Sequence, residues 1–255
     1  MFDLAIAAIL KNEAEYVSEW IAFHLAVGVQ HFVIYDNAST DNTREILAKY
    51  GDVVTVIDWP QRPGQIPAYQ HFVENYEAVA RWVAVIDADE FLMPETADSL
   101  LDVLPEFEQY GGLAVNWLVY GTNGFATRPP GLLIENFIYR GPDQMTINHH
   151  IKSIIKPFYA LGCRTPHIFN MIRPVVDEDH NPVPEAWSDK NRHRKIRLNH
   201  YVTRSLADWK AKVERRRADT DERRDDSEIM QFENMEVLDD TAKRFAARTR
   251  ELMRC

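Results

Sequence analysis

Two carboxylates, Asp87 and Asp89, directly follow the apolar run of residues 82–86 in the stretch WVAVIDADEFLMP. Two other D-x-D triplets, at residues 177–179 and 219–221, lie in polar, charge-rich surroundings typical of solvated loops or helix surfaces. Only the first triplet follows a run that predicts a strand buried on both faces. Side chains along a strand repeat every two residues, so we expect the two carboxylates to point the same way. Such a pair can hold Mg²⁺ or Mn²⁺ against a diphosphate, and the alternative is helix capping and solvation.

Polar residues follow each of the four strands that the first half of the sequence predicts. They are Lys11, Asn12 and Glu13 after the first strand, Asp36, Asn37 and Asp41 after the second, Gln65 after the third, and Asp87 and Asp89 after the fourth. The carboxyl ends of parallel strands meet along one edge of a sheet, where open α/β proteins bind their ligands. Each group could instead be a cap, a turn or a solvated acid. Together they predict a nucleotide site, with polar groups for the base and ribose and a metal for the phosphates.

The first half of the chain alternates strand and helix patterns. The predicted strands are residues 4–10, 31–36, 53–59 and a run that ends at Asp87, and the predicted helices are residues 13–27, a short helix capped by Asp41 or Asn42, and residues 68–81. Gly28 suits the C-cap of the first helix, and Gln65 falls in the Pro- and Gly-rich loop before the third. This alternation predicts an α/β fold with a mostly parallel sheet flanked by helices. No G-x-G-x-x-G or P-loop motif is present, so a dinucleotide fold is unsupported.

The second half of the chain has a different pattern. Residues 112–121 predict a fifth strand, and the sequence that follows is irregular and rich in Pro, Gly and His. From Ser205 onward the chain is charged and helical, with Trp209 and Val213 on one face. We therefore expect one α/β domain over residues 1–205, with residues 206–255 as its C-terminal helical appendage.

Composition narrows the class of protein. The chain has 255 residues and a formal net charge of −10, which argues against nucleic acid as a partner. Its 45% hydrophobic content is typical of a soluble globular protein, and its N-terminal apolar run is too short to span a bilayer. Two cysteines, Cys163 and Cys255, do not form a disulfide framework. We expect a cytoplasmic protein without a transmembrane segment.

The order of three segments resembles nucleotide-sugar glycosyltransferases of the GT-A fold, in the family-two-like and family-ninety-two-like group. The segments are ILKNEAEYVSEWIAFHLAVGVQHFVIYDNASTDNT, DADEF and LNHYVTRS, within roughly residues 4–210. By this resemblance DNASTDNT matches the nucleotide-binding turn and DADEF the metal-binding D-x-D. It implies a glycosyltransferase that uses Mn²⁺ or Mg²⁺ and a nucleoside diphosphate sugar, with UDP favoured. The acceptor is expected to be a glycan or another hydroxyl compound.

The resemblance also implies that a later histidine completes the metal shell of Asp87 and Asp89. His200 in NHYVTRS matches that position best, and His167 in TPHIF is the alternative ligand. The competing interpretation of His200 is a hydrogen-bonded histidine at a strand end.

Several cations in the second half are candidates for contact with the donor. Lys152 and Lys156 in HHIKSIIKP could bind it, or they could be plain surface charge. Arg194 or Arg197 in the run KNRHRKIR could contact phosphate, although a solvated loop is the preferred interpretation there.

Inversion of the anomeric centre, which the resemblance suggests, requires a carboxylate that takes the proton of the acceptor hydroxyl. Glu135 in GLLIENF is the first candidate and Asp143 the second, because both follow the fifth strand. Otherwise Glu135 would be an ordinary exposed helix acid. Two other functions remain open: a metal-dependent phosphohydrolase, which needs its first Asp as nucleophile, and a non-catalytic relative that binds sugar nucleotides.

Overall fold

The computed structural model describes residues 1–254, and its first 85 residues alternate strand and helix as predicted. The strands are β1 (Phe2–Leu10), β2 (His31–Asp36), β3 (Val54–Asp58), β4 (Ala80–Val85), β5 (Glu90–Pro94), β6 (Gly112–Val119), β7 (Tyr139–Arg140), β8 (Ile151–Ile155), β9 (Ala160–Cys163), β10 (Phe169–Met171), β11 (Val175–Val176), β12 (Ile196–His200) and β13 (Val237–Leu238). The helices are α1 (Val17–Ala26), α2 (Thr43–Ala48), α3 (Gln65–Asn75), α4 (Leu133–Asn136), α5 (Leu206–Arg215) and α6 (Ala246–Leu252). Between residues 1 and 254, no helix has both the length and the apolar character needed to cross a membrane.

A nine-stranded sheet forms the centre of the molecule, in the order β3-β2-β1-β4-β8-β6-β12-β5 with β11 beside β6. The first four strands in this order are parallel, which agrees with the predicted α/β architecture. In contrast, β8 is antiparallel to both β4 and β6, and β5 is antiparallel to β12. The connection between β6 and β8 runs over residues 120–150 and contains α4, β7 and a 3₁₀ turn at Thr146–His149. It has no long helix that could cross a face of the sheet, as the connection between parallel strands usually does, and β8 pairs antiparallel with β6.

Alternate residues of β1 face two separate hydrophobic layers. Leu4 and Ile6 belong to the layer that includes Trp20 of α1, whereas Ala5 and Ala7 belong to the layer that includes Phe72 of α3. This two-residue period follows from the pleat of the strand. Because helices cover both faces of the parallel half, polar chemistry is left to the loops at its strand ends.

Several helix boundaries differ from prediction, and the third helix ends at Asn75 instead of residue 81 because β4 begins at Ala80. The first helix begins at Val17, four residues later than predicted, and Gly28 lies just past its end with φ +103°. Glycine adopts this left-handed conformation without a steric penalty, as the predicted C-cap requires. The prediction of a loop position for Gln65 is wrong, since Gln65 is the first residue of α3.

The C-terminal part is less helical than predicted. Ser205 caps α5 through a capping box with Asp208, but residues 216–245 contain only short 3₁₀ turns and β13. Some of their charged side chains pair with distant segments, as Asp221 does with Arg62 and Asp239 with Arg197, which local sequence cannot show. The chain then returns to the core, where Phe245 packs edge-on against Phe23 with ring centroids 5.8 Å apart. Cys255 lies outside the described residues.

Candidate active site

A cleft of about 340 Å³ lies at the carboxyl ends of β1, β4 and β12. Seven predicted site residues line it: Lys11, Glu13, Asn37, Gln65, Asp87, Asp89 and His200. His167, the alternative metal ligand, lines it as well. Residues from all four predicted strand ends therefore line one crevice, although not every predicted residue does.

Asp87 is held on both carboxylate oxygens. Gln65 Nε2 donates to Oδ1 at 2.8 Å, and Lys152 Nζ donates to Oδ2 at 2.9 Å. Burial acts to raise the pKa of Asp87, but the Lys152 ammonium outweighs it and holds that pKa below its ordinary value. The Lys152 side chain is only 1% exposed, so it is not surface charge. Burial acts to lower the pKa of Lys152, but Asp87 and Glu90 outweigh it, and Lys152 stays protonated.

Asp89 contacts a lysine and a histidine. Lys212 Nζ donates to its Oδ2, and His200 Nε2 lies 3.6 Å from its Oδ1. Burial acts to raise the pKa of Asp89, but Lys212 and His200 outweigh it and hold that pKa well below its ordinary value. Burial lowers the pKa of His200, so its imidazole is neutral at pH 7, and its buried Nδ1 has no hydrogen-bond partner.

The donor types in this cleft suit a hard divalent cation, since carboxylate oxygen and imidazole nitrogen are both ligands for Mn²⁺. Asp89 and His200 already face each other, with Nε2 of the imidazole toward the carboxylate. Within residues 1–254, however, no group of three or more His, Cys, Asp or Glu side chains is arranged as a metal site. Lys212 and Lys152 instead provide the positive charge beside the two aspartates.

Three predicted nucleotide-site residues stabilise the turn after β2 and do not line the cleft. Asp36 is fully buried and pairs with Arg44 at 2.9 Å. The Asn12 side-chain oxygen accepts from the Thr40 N–H, and Asp41 accepts from the Thr43 N–H. Their direct contact with a nucleotide stays a prediction.

Asn37 and Glu13 line the cleft but are already bound. Asn37 Nδ2 donates to the carbonyl oxygens of Trp59 and Gln61. Glu13 accepts from Arg204 Nη1 at 2.6 Å and from Arg215 Nη1 at 2.7 Å. These bonds brace the cleft wall around Lys11.

The structure does not bring the two predicted bases into the cleft. Glu135 is paired with Arg250, and Asp143 is paired with Arg140 and, at 3.3 Å, with His193. Neither residue lines the cleft, because their partners hold them elsewhere. Their assignment as base stays a prediction that this geometry does not support.

The remaining predicted cations also lie outside the cleft. The basic run supplies no phosphate contact there, because Arg194 pairs with Asp179 and the buried Arg197 with Asp239. Lys156 is bound to Glu108.

A segment that local sequence patterns did not mark as functional covers part of the cleft. We call residues 212–224 the basic segment. Its members on the cleft are Lys212, Arg215, Arg216, Arg217, Ala218, Asp219 and Arg224, and Glu228 and Gln231 follow it along the cleft. The N–H groups of Gly64 and Gln65 donate to the Ala218 carbonyl oxygen, which holds the segment against the start of α3. The dense run of arginine was the available signal, but such runs are usually solvated.

Residues 6–243 match the sequence model of glycosyltransferase family 92. The chain belongs to glycosyltransferase family 92. A family 92 protein of Oryza sativa subsp. japonica is 29% identical over 178 residues, which cover 67% of this chain and 29% of that protein. One from Ricinus communis is 26% identical over 162 residues, covering 61% and 29%. The match to the family model confirms the predicted family. This family 92 chain spans about 29% of the length of these two relatives.

Among solved structures, S. aureus TarS 1-349 in complex with UDP is similar to this family 92 chain with a TM-score of 0.42. The identity is 15%, and the match covers 61% of this chain and 47% of that chain. HddC from Yersinia pseudotuberculosis matches with a TM-score of 0.36 and 15% identity, over 61% of this chain and 69% of that chain.

Proposed function

We propose that this family 92 chain transfers a sugar from a nucleoside diphosphate to an acceptor hydroxyl. The observation that carries the proposal is the meeting, in one cleft, of the Asp87–Asp89 pair with the arginines of the basic segment. UDP is the proposed nucleotide through the family resemblance, and a glycan or other hydroxyl compound is the proposed acceptor.

The cations suit a diphosphate. Seven lysines and arginines line the cleft: Lys11, Arg62, Lys212, Arg215, Arg216, Arg217 and Arg224. The chain as a whole carries a net charge of −10, so this positive charge is a local concentration. Such a concentration draws an anionic ligand into a cleft and forms charge-assisted hydrogen bonds to phosphate oxygens. This supports a nucleoside diphosphate over a neutral ligand.

Asp89, His200 and Asp87 are the residues that we propose would hold Mn²⁺ or Mg²⁺. A bound divalent ion would neutralise negative charge on the departing diphosphate as a Lewis acid. Lys212 is paired with Asp89 and Lys152 with Asp87. Both lysines would therefore add positive charge near the diphosphate of a bound donor. Lys152 also positions Asp87, because its ammonium is buried and bound to that carboxylate.

Inversion, which we propose from the family resemblance, requires a base for the acceptor proton. Five carboxylates line the cleft: Glu13, Asp87, Asp89, Asp219 and Glu228. Four of them are bound to lysine or arginine, whereas Asp219 has no ion-pair partner within residues 1–254. We therefore propose Asp219 as the base, in place of Glu135 and Asp143.

The contacts of Asp87 also weigh against a phosphohydrolase. That reaction needs the first aspartate to attack phosphorus as a nucleophile. Gln65 and Lys152 each donate to one Asp87 oxygen, and these bonds weaken the carboxylate as a nucleophile while each oxygen keeps a lone pair for a metal ion. Asp87 is thus placed as a bound, oriented carboxylate and not as a nucleophile.

The test is a thermal-shift screen of nucleoside diphosphates with Mn²⁺, followed by turnover. A ligand that binds only the folded chain raises its melting temperature, and we expect UDP to give the largest shift. Turnover is measured as release of UDP from UDP-sugars, with and without a mixture of oligosaccharide acceptors. Acceptor-dependent release supports a transferase, whereas acceptor-independent release of inorganic phosphate would indicate the hydrolase. A chain that neither binds nor consumes any nucleoside diphosphate sugar would contradict the proposal.

A further inference from the structure

Four aromatic side chains form a continuous row from the cleft to the surface. We call Trp117, His150, Trp187 and His149 the aromatic strip. The ring of Trp117 stacks on His150 at 4.8 Å between centroids, and Trp187 meets His150 edge-on at 4.6 Å. The His149 ring in turn stacks on the Trp187 ring, with 5.5 Å between the centroids. Trp117 and His150 line the cleft, while Trp187 is 41% exposed.

The strip begins beside the candidate metal ligands. Trp117 packs against His200 with ring centroids 4.4 Å apart, and His200 lies next to Asp89. Trp117 belongs to β6, and His150 directly precedes β8. These strands lie on the opposite side of β4 from β1, β2 and β3, whose ends carry the proposed nucleotide residues. A molecule on the strip would therefore reach Asp87 and Asp89 from the side opposite the nucleotide.

The exposed end of the strip is held in place by the backbone. The Ser188 N–H donates to the His149 carbonyl oxygen at 2.9 Å, and the Ile151 N–H donates to the Ala186 carbonyl oxygen at 3.2 Å. These bonds fix the chain on both sides of Trp187. An exposed indole that is fixed in this way offers a flat apolar surface without a large loss of side-chain freedom on binding.

The polar atoms of the strip fit hydroxyl groups. His150 Nδ1 lies 3.1 Å from the Ile147 carbonyl oxygen, so Nδ1 carries the proton and Nε2 is left as an acceptor. Burial lowers the pKa of His150, which keeps this ring neutral at pH 7. Trp117 is 9% exposed, and its Nε1 donor is buried without a hydrogen-bond partner. An unpartnered buried donor is costly, and a ligand oxygen would satisfy it.

We propose that the aromatic strip binds the sugar ring of a neutral saccharide acceptor. The C–H face of a sugar ring would cover the exposed indole of Trp187, while hydroxyl groups at the cleft end of the strip would exchange hydrogen bonds with His150 Nε2 and Trp117 Nε1. Arg164 and Arg192 are bound to Glu185 and Asp189, the carboxylates on either side of Trp187 in the chain, so these two guanidinium groups are already paired and favour a neutral saccharide over an ionised one. This inference rests on the proposed transferase function, because it names the acceptor of that same cleft.

The test compares Trp187→Ala, Trp187→Phe and the control Phe158→Ala. Phe158 is 74% exposed but lines a different cavity, with Lys156 and Tyr159. Calorimetry measures binding of neutral tetra- to hexasaccharides of glucose, galactose, mannose or xylose, and of a matching series that contains uronic acid. We expect Trp187→Ala to weaken binding of the preferred neutral saccharide about tenfold, and Trp187→Phe to restore most of it. Phe158→Ala should bind like the wild type.

UDP binding and UDP-sugar consumption are measured in the same proteins. Unchanged UDP binding in Trp187→Ala, together with a raised acceptor KM, supports the inference. It is overturned if Trp187→Ala binds saccharide normally, if the wild type binds no neutral saccharide, or if the uronic acid series binds more tightly. Failure of the proposed function has a different signature, since the wild type would then bind neutral saccharide without consuming any nucleoside diphosphate sugar.

Discussion

The ammonium group of Lys212 donates a hydrogen bond to the Asp89 carboxylate, although 123 residues separate the two along the chain. This ion pair ties α5 to the turn after β4, so the basic segment and the D-x-D pair form one unit. Lys212 also donates to the Val202 carbonyl oxygen at 3.0 Å, which fixes its position just beyond β12. A divalent ion bound at Asp89 would therefore share that carboxylate with a cation that the protein already provides.

Asp89→Asn should lower turnover of the sugar donor roughly a hundredfold or more, because a metal contributes several kcal/mol of charge stabilisation. The substitution keeps the shape of the side chain and removes one negative charge from a hard-cation site. The measurement is Mn²⁺ titration of UDP-sugar turnover. The matched control is Asp179→Asn, since Asp179 belongs to the second D-x-D triplet and pairs with Arg192 and Arg194 outside the cleft.

The control variant should follow the Mn²⁺ dependence of the wild type. Equal Mn²⁺ dependence in all three proteins would remove Asp89 from the metal site. A loss of stability in Asp89→Asn with an unchanged response to Mn²⁺ would indicate a purely structural carboxylate.

Lys212→Met should tighten binding of Mn²⁺ in the absence of nucleotide by about tenfold, because it removes the cation that competes for Asp89. Calorimetry or electron paramagnetic resonance measures the free and bound ion. Lys210→Met is the control: it removes the same charge from the same helix at an exposed position outside the cleft. If both variants bind Mn²⁺ like the wild type, Lys212 and the metal do not share Asp89.

Arg224→Gln should weaken UDP binding roughly tenfold or more, on the scale of 1.5–3 kcal/mol for a hydrogen bond to a charged group. Arg224 lines the cleft, whereas its neighbour Arg223 points to Glu214 and lies outside it. Arg223→Gln therefore changes the net charge equally without touching the site. Calorimetry with UDP and with uridine separates phosphate binding from base binding. An equal loss of UDP affinity in both variants would mean that the overall electrostatic field of the protein, and not a contact of Arg224, determines UDP binding.

The strand half of the site could be predicted because its signals are local. A buried parallel strand is a short apolar run, and the polar residues that end it follow in the next few positions, as with Lys11 and Asp87. Asp87 and Asp89 both line the cleft, as predicted. The prediction assumed that they continue the strand, whereas β4 ends at Val85 and both lie in the turn after it.

The other half of the site depends on contacts between distant parts of the chain. Nothing in the run KVERRRADTDERR shows that Ala218 accepts hydrogen bonds from Gly64 and Gln65, so its charges looked solvated. Glu135 failed to reach the cleft for the same reason, since its partner Arg250 is 115 residues away. Asp36 ends β2 as predicted, but it is buried in the protein interior and paired with Arg44 of α2.

His24 of α1 should make the protein less stable in acid. Its Nδ1 donates to the Trp20 carbonyl oxygen at 2.8 Å and its Nε2 accepts from the Leu92 N–H at 3.0 Å, so the neutral ring is fully bonded. Burial lowers the pKa of His24 to about 3. The unfolded chain takes up a proton near pH 6.5 and the folded chain does not. The free energy of unfolding should therefore fall as the pH drops below 6.5, by about 2 kcal/mol at pH 5 from this group.

Denaturant unfolding at pH 8, 6.5 and 5 measures this dependence. His24→Gln is the comparison, because an amide cannot take up the proton in either state. It should start from a lower stability at pH 8 and lose less between pH 6.5 and 5 than the wild type. Parallel pH curves for the two proteins would exclude His24 as a source of the acid sensitivity.

Asp219→Asn should reduce transfer about 10²–10⁴-fold, the usual scale for loss of a general base, while UDP binding stays within error of the wild type. The reason is that Asp219 lines the cleft without a bound cation within the described chain, whereas the other carboxylates there are paired. The measurement is single-turnover transfer to a saccharide acceptor at saturating UDP-sugar. Glu135→Gln and Asp143→Asn serve as controls and should keep the wild-type rate. If Asp219→Asn retains full rate and one of these two is inactive, that residue is the base and must reach the cleft by a movement of α4 or of the turn after β7.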